Sequence, residues 1–248
     1  MHTLPVSFWT LLGILVIGAA VAVHGQDNAS SSNRPVEKQL KEMAEGVKKN
    51  APDAAQVFED GIKQIAATGI VERAPKVGDM AKMFELPDSS GNSVRLADLL
   101  KRGPVVLTWY RGGWCPYCNI SLRGLLQAEP KIREQGGTLV ALTPELPDMA
   151  ADTAKKNALT FVVLTDKGND VARQYKIVYR VPDHMLALMK AFKVDLASRN
   201  GDTSDELPLG VTYVIDPKGV IRWSFVDADY RKRAEPSDVI EALRVLNR

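Results

Sequence analysis

The chain holds two cysteines, Cys115 and Cys118, two residues apart in the stretch RGGWCPYCNISLRGLL. Thiols at that spacing can form half of a metal clip, a local staple, or a working redox pair. Structural zinc takes four nitrogen or sulfur ligands. The only histidines are His2, His24 and His184, the first two in or beside an apolar leader. The remaining donors do not make a four-ligand site. Covalent haem attachment needs a histidine directly after the second cysteine, and Asn119 stands there. Nor can two cysteines build a disulfide framework for a chain of 248 residues. Redox chemistry remains, on another protein's thiols or on a small oxidant.

The flanking residues favour a reactive thiol. The run PVVLTWY, ending at Tyr110, reads as a strand buried on both faces. Gly112 and Gly113 then permit a sharp turn. Cys115 opens a helix with Pro116 at its first position, where proline's missing N–H costs nothing. Unpaired N–H groups and the positive end of the helix dipole favour an anion at that start. The pKa of Cys115 is therefore expected below the free value of about 8.5. Cys118 follows three residues later on the same helix face, within reach of Cys115. The expected roles are attack by Cys115, resolution by Cys118 and closure of a Cys115–Cys118 disulfide. Arg111 can add positive charge near the thiolate, and Trp114 can shield the pair. Thr143 and Glu145, at the end of the next strand, can line the site, the plainer reading being loop residues without a role.

The elements around this stretch alternate strand and helix. Val36, Leu40, Met43 and Val47 fall at helical spacing. Pro52 breaks the run, and Ala55, Phe58, Ile62 and Ile65 resume it. Two helices are expected here, packed within the monomer. Residues 84–96 carry a hairpin pattern around Ser89-Ser90-Gly91-Asn92. Strands are expected at 104–110, 138–144 and 160–166. Between and after them come helices from Pro116, ended or kinked by Pro130, over 149–159 and over 169–177. Residues 178–210 read as loop-rich. A hairpin turning at Asp216-Pro217-Lys218-Gly219 and a helix from Pro236 close the chain. The pattern makes a three-layer α/β sandwich.

A composition of 45% hydrophobic and 25% charged residues is ordinary for a globular protein, and the net charge is only +2. Lys48-Lys49 and Arg231-Lys232-Arg233 have acids nearby and read as solvated surface. Without a polybasic stripe, no nucleic-acid partner is expected. Phe8 to Val23 is apolar and uncharged, followed by small residues and a polar, turn-rich tether from Asp27 to Arg34. This layout is that of a secretory signal peptide cut after Ala22 or Gly25. The segment before it, MHTLPVS, lacks Lys and Arg, so an uncleaved membrane anchor is the alternative. The expected organisation is a signal peptide over 1–25, a tether and helical extension over 26–75, and the main domain over 76–248. The expected location is periplasmic or extracellular.

KVGDMAKMFELPDSSGNSVRLADLL resembles the entry segment of peroxiredoxins of the alkyl-hydroperoxide-reductase/thiol-specific-antioxidant superfamily. GPVVLTWYRGGWCPYCNISLRGL, PELPD, FVVLTD and FVDADYRKRAEPSDVIEALRVL are similar to its peroxiredoxin-like redoxin branch with a CPYC pair. The likeness runs from about residue 40 to the end. It implies a thioredoxin-like fold behind an N-terminal helical extension. It also implies reduction of hydrogen peroxide or organic hydroperoxides, recycling by a thioredoxin-like dithiol donor, and no cofactor. Thr108 and Gly112 stand where typical members keep a proline and a threonine, and Val211 precedes Thr212 where many thioredoxin folds place a proline. Gly210 stands where an arginine is common. Those departures leave an exported thiol–disulfide oxidoreductase as the second reading. The intact CPYC argues against a non-catalytic binding module.

Overall fold

The structure, a computed structural model, describes residues 34–248. The apolar run Phe8–Val23, its cleavage sites and the tether up to Asn33 lie outside the described residues. Among the described residues no helix is long and apolar enough to cross a membrane.

In chain order the elements are α1 (Pro35–Asn50), α2 (Pro52–Ala66), α3 (Ile70–Arg73), β1 (Glu85–Pro87), β2 (Ser93–Arg95) and α4 (Leu96–Leu100). Then come β3 (Val105–Trp109), α5 (Pro116–Glu134), β4 (Thr138–Thr143), α6 (Pro147–Lys156), β5 (Val162–Thr165), α7 (Asp170–Gln174) and β6 (Val178–Arg180). The rest are α8 (Asp183–Ala191), α9 (Leu196–Asn200), β7 (Glu206–Pro208), β8 (Thr212–Ile215), β9 (Ile221–Phe225) and α10 (Pro236–Leu246).

The central sheet has strand order β5-β4-β3-β8-β9. β3 is its middle strand, parallel to β4 and antiparallel to β8. All five residues of β3 are buried, as its unbroken apolar run requires of a strand covered on both faces. Leu107 pairs with Tyr213, and Trp109, Tyr175 and Tyr213 form one aromatic cluster with ring centroids 4.8–6.2 Å apart. α5 and α10 pack against each other and on the sheet. The fold is the expected α/β sandwich, with the pair of thiols just beyond the C-terminal end of its central strand.

α1 and α2 pack within the monomer. α1 lies on α5, where Gly124 leaves room that Val36 fills: a Cβ on Gly124 would sit 2.2 Å from Cγ2 of Val36. The start of α1 has no capping side chain of its own. Glu235, just before α10, accepts from the Val36 and Glu37 N–H groups at 3.4 and 2.9 Å, supplying negative charge where the helix dipole needs it. Arg34 grips Asp238 in a two-pronged ion pair at 2.9 and 3.1 Å. α2 packs on α8.

Three expectations need correction. Residues 178–210 are not mainly loop: β6 pairs with β7 in an antiparallel ribbon, and α8 and α9 lie between them. Strands of three residues are too short to show a period of two. The apolar face of α8, Met185, Leu186 and Met189, was present but flanked by turn residues. Pro130 does not end α5, which continues to Glu134. The helix expected over 169–177 is regular only from Asp170 to Gln174.

Candidate active site

The chain leaves β3 at Tyr110 and turns through Gly112, whose φ of 149° suits glycine alone. The turn is tied from both sides. Glu145 Oε2 accepts the Gly113 N–H at 2.8 Å, and Asn119 Nδ2 donates to the Gly113 carbonyl at 2.8 Å. Glu145 is fully buried. Burial raises its pKa, while the Gly113 N–H and Arg199, 3.4 Å away, pull it back. Glu145 is thus not an idle loop residue; it anchors the turn that presents the cysteines.

Cys115 caps α5, and Pro116 is the first helical residue. Both cysteines are free and have no exposed surface. The Cys115 sulfur accepts from Arg111 Nη2 at 3.1 Å and from the Cys118 N–H at 3.4 Å. Arg111 is only 4% exposed, not the surface arginine that a strand end often carries. Its guanidinium carbon lies 3.8 Å from the Tyr230 ring centroid and 5.2 Å from that of Trp114. Such aromatic faces favour a cation and hold it over the sulfur. Trp114 is half-buried beside it.

Reading Arg231-Lys232-Arg233 as solvated surface is corrected at its last residue. Arg233 is 6% exposed and donates through Nη2 to the Cys118 sulfur at 3.3 Å. Its Nη1 donates to the carbonyls of Tyr230 and Lys232. The cationic help expected for Cys115 alone is therefore shared: each sulfur faces its own guanidinium. Burial by itself would raise both thiols. The hydrogen bond between the sulfurs, with Arg233 and Arg111, offsets that for a single negative charge. The pair titrates as a unit. The expectation that Cys115 is the lowered thiol is corrected: the first proton leaves Cys118, below the ordinary thiol range, and that of Cys115 leaves well above it, because a second thiolate would face the first.

Gly210 makes room for this arrangement. A Cβ there would lie 2.5 Å from the guanidinium carbon of Arg233. Gly210 has no side chain, and the guanidinium of Arg233 occupies the space over it. Gly210→Ala is accordingly expected to push Arg233 off Cys118 and slow disulfide closure about tenfold, since a hydrogen bond to a charged group contributes roughly 1.5–3 kcal/mol. Single-turnover kinetics after a peroxide pulse measures this; an unchanged second phase would contradict the role of Arg233.

Over the pair lies an open cavity of about 570 Å³. Arg111, Trp114, Pro116, Tyr117 and Tyr230 form its floor, and α1, α2 and the end of α8 supply the walls. Arg111, Trp114 and Pro116, each expected near the site, are all brought there. Arg233, Tyr230 and the cavity walls escaped the sequence reading as site residues, because each comes from an element distant along the chain. Of these and Glu145, only the resemblance carried a pointer, through PELPD, which holds Glu145, and DYRKRAEP, which holds Tyr230 and Arg233.

Comparison with known proteins places these features among redoxins. Residues 77–224 match the AhpC/TSA family. The chain is 29% identical over 103 residues to peroxiredoxin Bcp of Escherichia coli, covering 41% of this chain and 65% of that one. It is also 28% identical over 108 residues to the thiol-disulfide oxidoreductase ResA of Bacillus thuringiensis, covering 43% of this chain and 61% of that one. The chain thus spans less than two thirds of either relative. Among solved structures, peroxidoxin BcpB of Mycobacterium tuberculosis superposes with a TM-score of 0.54 at 22% identity, over 69% of this chain and 97% of that one. That likeness establishes the thioredoxin-type fold of the peroxiredoxins.

Proposed function

Because the chain belongs to the AhpC/TSA family, we propose that it is a thiol peroxidase, with Cys115 the peroxidatic nucleophile and Cys118 the resolving thiol. One observation carries the assignment of roles. Arg111 both walls the cavity and donates to Cys115. Arg233, which serves Cys118, is not among the residues that wall the cavity. A peroxide entering by the cavity meets Arg111, and the Cys115 sulfur lies directly behind it.

Cys115 passes its proton to Cys118 across the hydrogen bond between the sulfurs, and its thiolate attacks the terminal oxygen of the peroxide. The S–O bond forms as the O–O bond breaks, and the departing alkoxide or hydroxide takes a proton from water. Cys115 is now a sulfenic acid. Cys118 attacks that sulfur, its own proton joins the departing hydroxide as water, and the Cys115–Cys118 disulfide closes. Arg111 stabilises the charge moving from sulfur to oxygen, and Arg233 favours negative charge on the Cys118 sulfur as its proton leaves. A thioredoxin-like dithiol then reduces the disulfide by exchange. Trp109 and Trp114 adjoin the pair, so stopped-flow fluorescence follows the oxidation. Rates with hydrogen peroxide and an organic hydroperoxide no faster than those of a simple thiolate of matched pKa would refute the proposal.

The match to ResA supports a second reading, exchange with protein disulfides. In that case Cys118→Ser accumulates mixed disulfides with client proteins, and peroxide reacts slowly.

The peroxidase is further proposed to be exported, with a redoxin domain over 76–248 behind the tether and helical extension of 26–75. The mature protein is expected to begin near Val23 or Gln26. N-terminal sequencing of soluble and membrane fractions tests this; a full-length, membrane-bound product would identify an anchor instead.

A further inference from the structure

We propose that Arg199, on α9, is a positioning residue for the cysteine pair and acts through Glu145: it balances the buried carboxylate that anchors the Gly112–Gly113 turn, so that this anion and a thiolate in the pair can be held together. Its effect falls on the ionisation of the pair, and so does not depend on whether the pair reduces peroxides or exchanges with protein disulfides.

The turn closes on the backbone of the first cysteine, whose N–H donates to the Gly112 carbonyl at 3.1 Å. Glu145 Oε2 accepts from the Gly113 N–H at 2.8 Å, and Thr153 Oγ1 lies 3.5 Å from the same oxygen. The other carboxylate oxygen, Oε1, faces Arg199 Nη1 at 3.4 Å. It would also lie 2.8 Å from a Cβ on Gly112. One carboxylate therefore lies against both glycines, and Arg199 holds its far side.

That anchor brings an anion into the interior. Glu145 has no exposed surface, and a buried charge is costly unless it is paired. Among the described residues Arg199 is the one cation within ion-pair distance of Glu145, and Glu145 the one carboxylate within that distance of Arg199. The titratable groups that act on or answer to Glu145 are Arg199 from α9, Cys118 from α5 and Tyr110 from the end of β3. Burial pushes the Tyr110 phenol far up, and Glu145 adds to that, so it stays neutral. Cys118 loses the first proton of the pair. Its thiolate and the Glu145 carboxylate oppose one another, and Arg199 offsets that opposition.

Arg199 is placed for this by its own short helix. Asp195 caps α9 by accepting the Ala197 and Ser198 N–H groups at 3.1 and 3.5 Å. The Leu146 N–H, next to Glu145, donates to the Arg199 carbonyl at 2.8 Å. A Cβ on Gly201 would lie 2.7 Å from Leu146 Cδ2, so the end of α9 is packed on the residue that follows Glu145. The Arg199 side chain is 31% exposed; solvent screens part of its charge, and the expected shifts are modest.

The test titrates the reduced full chain with pH. Thiolate is read by its ultraviolet absorbance, and the Glu145 carboxyl by the infrared band that Glu145→Gln removes. In Arg199→Met the pH at which thiolate and carboxylate are both present should rise by roughly half a unit or more. Glu145→Gln keeps an acceptor for the Gly113 N–H but removes the anion, so thiolate should form about half a unit lower. In the double variant, which lacks both charges, thiolate formation should return close to wild type. Arg199→Lys should fall between wild type and Arg199→Met. A role for Arg199 in holding α9 alone would move neither group. An unshifted Arg199→Met protein with wild-type circular dichroism overturns the proposal, as does a Glu145→Gln protein whose thiolate forms no lower. A double variant shifted as far as Arg199→Met also overturns it. If Arg199→Met does not fold, Arg199→Lys and Glu145→Gln decide by the same signs. Peroxide takes no part in the measurement, so failure of the peroxidase reading leaves this result standing, and failure here leaves that reading standing.

Discussion

Cys115→Ser is expected to abolish peroxide consumption outright, because no other thiol stands beside Arg111 at the start of α5. Cys118→Ser should behave differently. The first oxidation survives, since Arg111 and the cavity remain. Cys115 is then trapped as sulfenic acid or driven on to sulfinic acid, for want of a condensing partner. Turnover with a dithiol donor collapses, the Cys115–Cys118 disulfide being the form that donor reduces. Mass spectrometry after one equivalent of peroxide reads the trapped species directly. Oxidation of Cys118 in the Cys115→Ser protein at the wild-type rate would reverse the two roles. That reversal has a physical basis worth testing, because Arg233 gives Cys118 a cation of its own.

Arg111→Met should reduce the second-order rate with peroxide by about 10²–10³, the usual loss when one donor aimed at developing charge is removed. The pH profile separates an electrostatic role from simple packing. The pair's first ionisation lies below the ordinary thiol range, so thiolate persists into mildly acidic solution, and the wild-type rate falls only as pH drops through that lowered value. Removing Arg111 raises the pKa and moves the acidic limb of the profile upward, so the deficit is greatest at low pH. Arg111→Lys should restore part of the rate but not all. Its compact ammonium keeps the charge but lacks the planar fork that spans the sulfur and the Tyr230 face. A profile that shifts in neither variant would reduce Arg111 to a packing residue.

Much of the fold could be read along the chain. β3 and β4 appear as unbroken apolar runs because strands covered on both faces have no polar positions to alternate. The periodicity of α1 and α2 announced their buried faces. β6, β7 and α9 were lost because they are short and carry neither the unbroken apolar run of β3 nor the tight turn that joins β1 to β2.

At the site, the chemistry that neighbouring residues create was determined by sequence alone. A strand end, a glycine turn, a cysteine cap, a proline at the first helical position and a second cysteine one turn on fall within Tyr110 to Cys118, and local geometry makes them the candidate redox pair. What only the tertiary structure decided is the charge and the shape around that pair. Arg233 reaches Cys118 from 115 residues away. Glu145 reaches Gly113 from 32. The cavity walls come from α1 and α2, which precede the family domain, and from the end of α8 within it. An arginine in RKR or a glutamate after a strand carries no mark of burial in its own neighbourhood. Whether it is solvated or desolvated depends on what folds over it, and a guanidinium acts strongly on a sulfur only once water has been excluded between them.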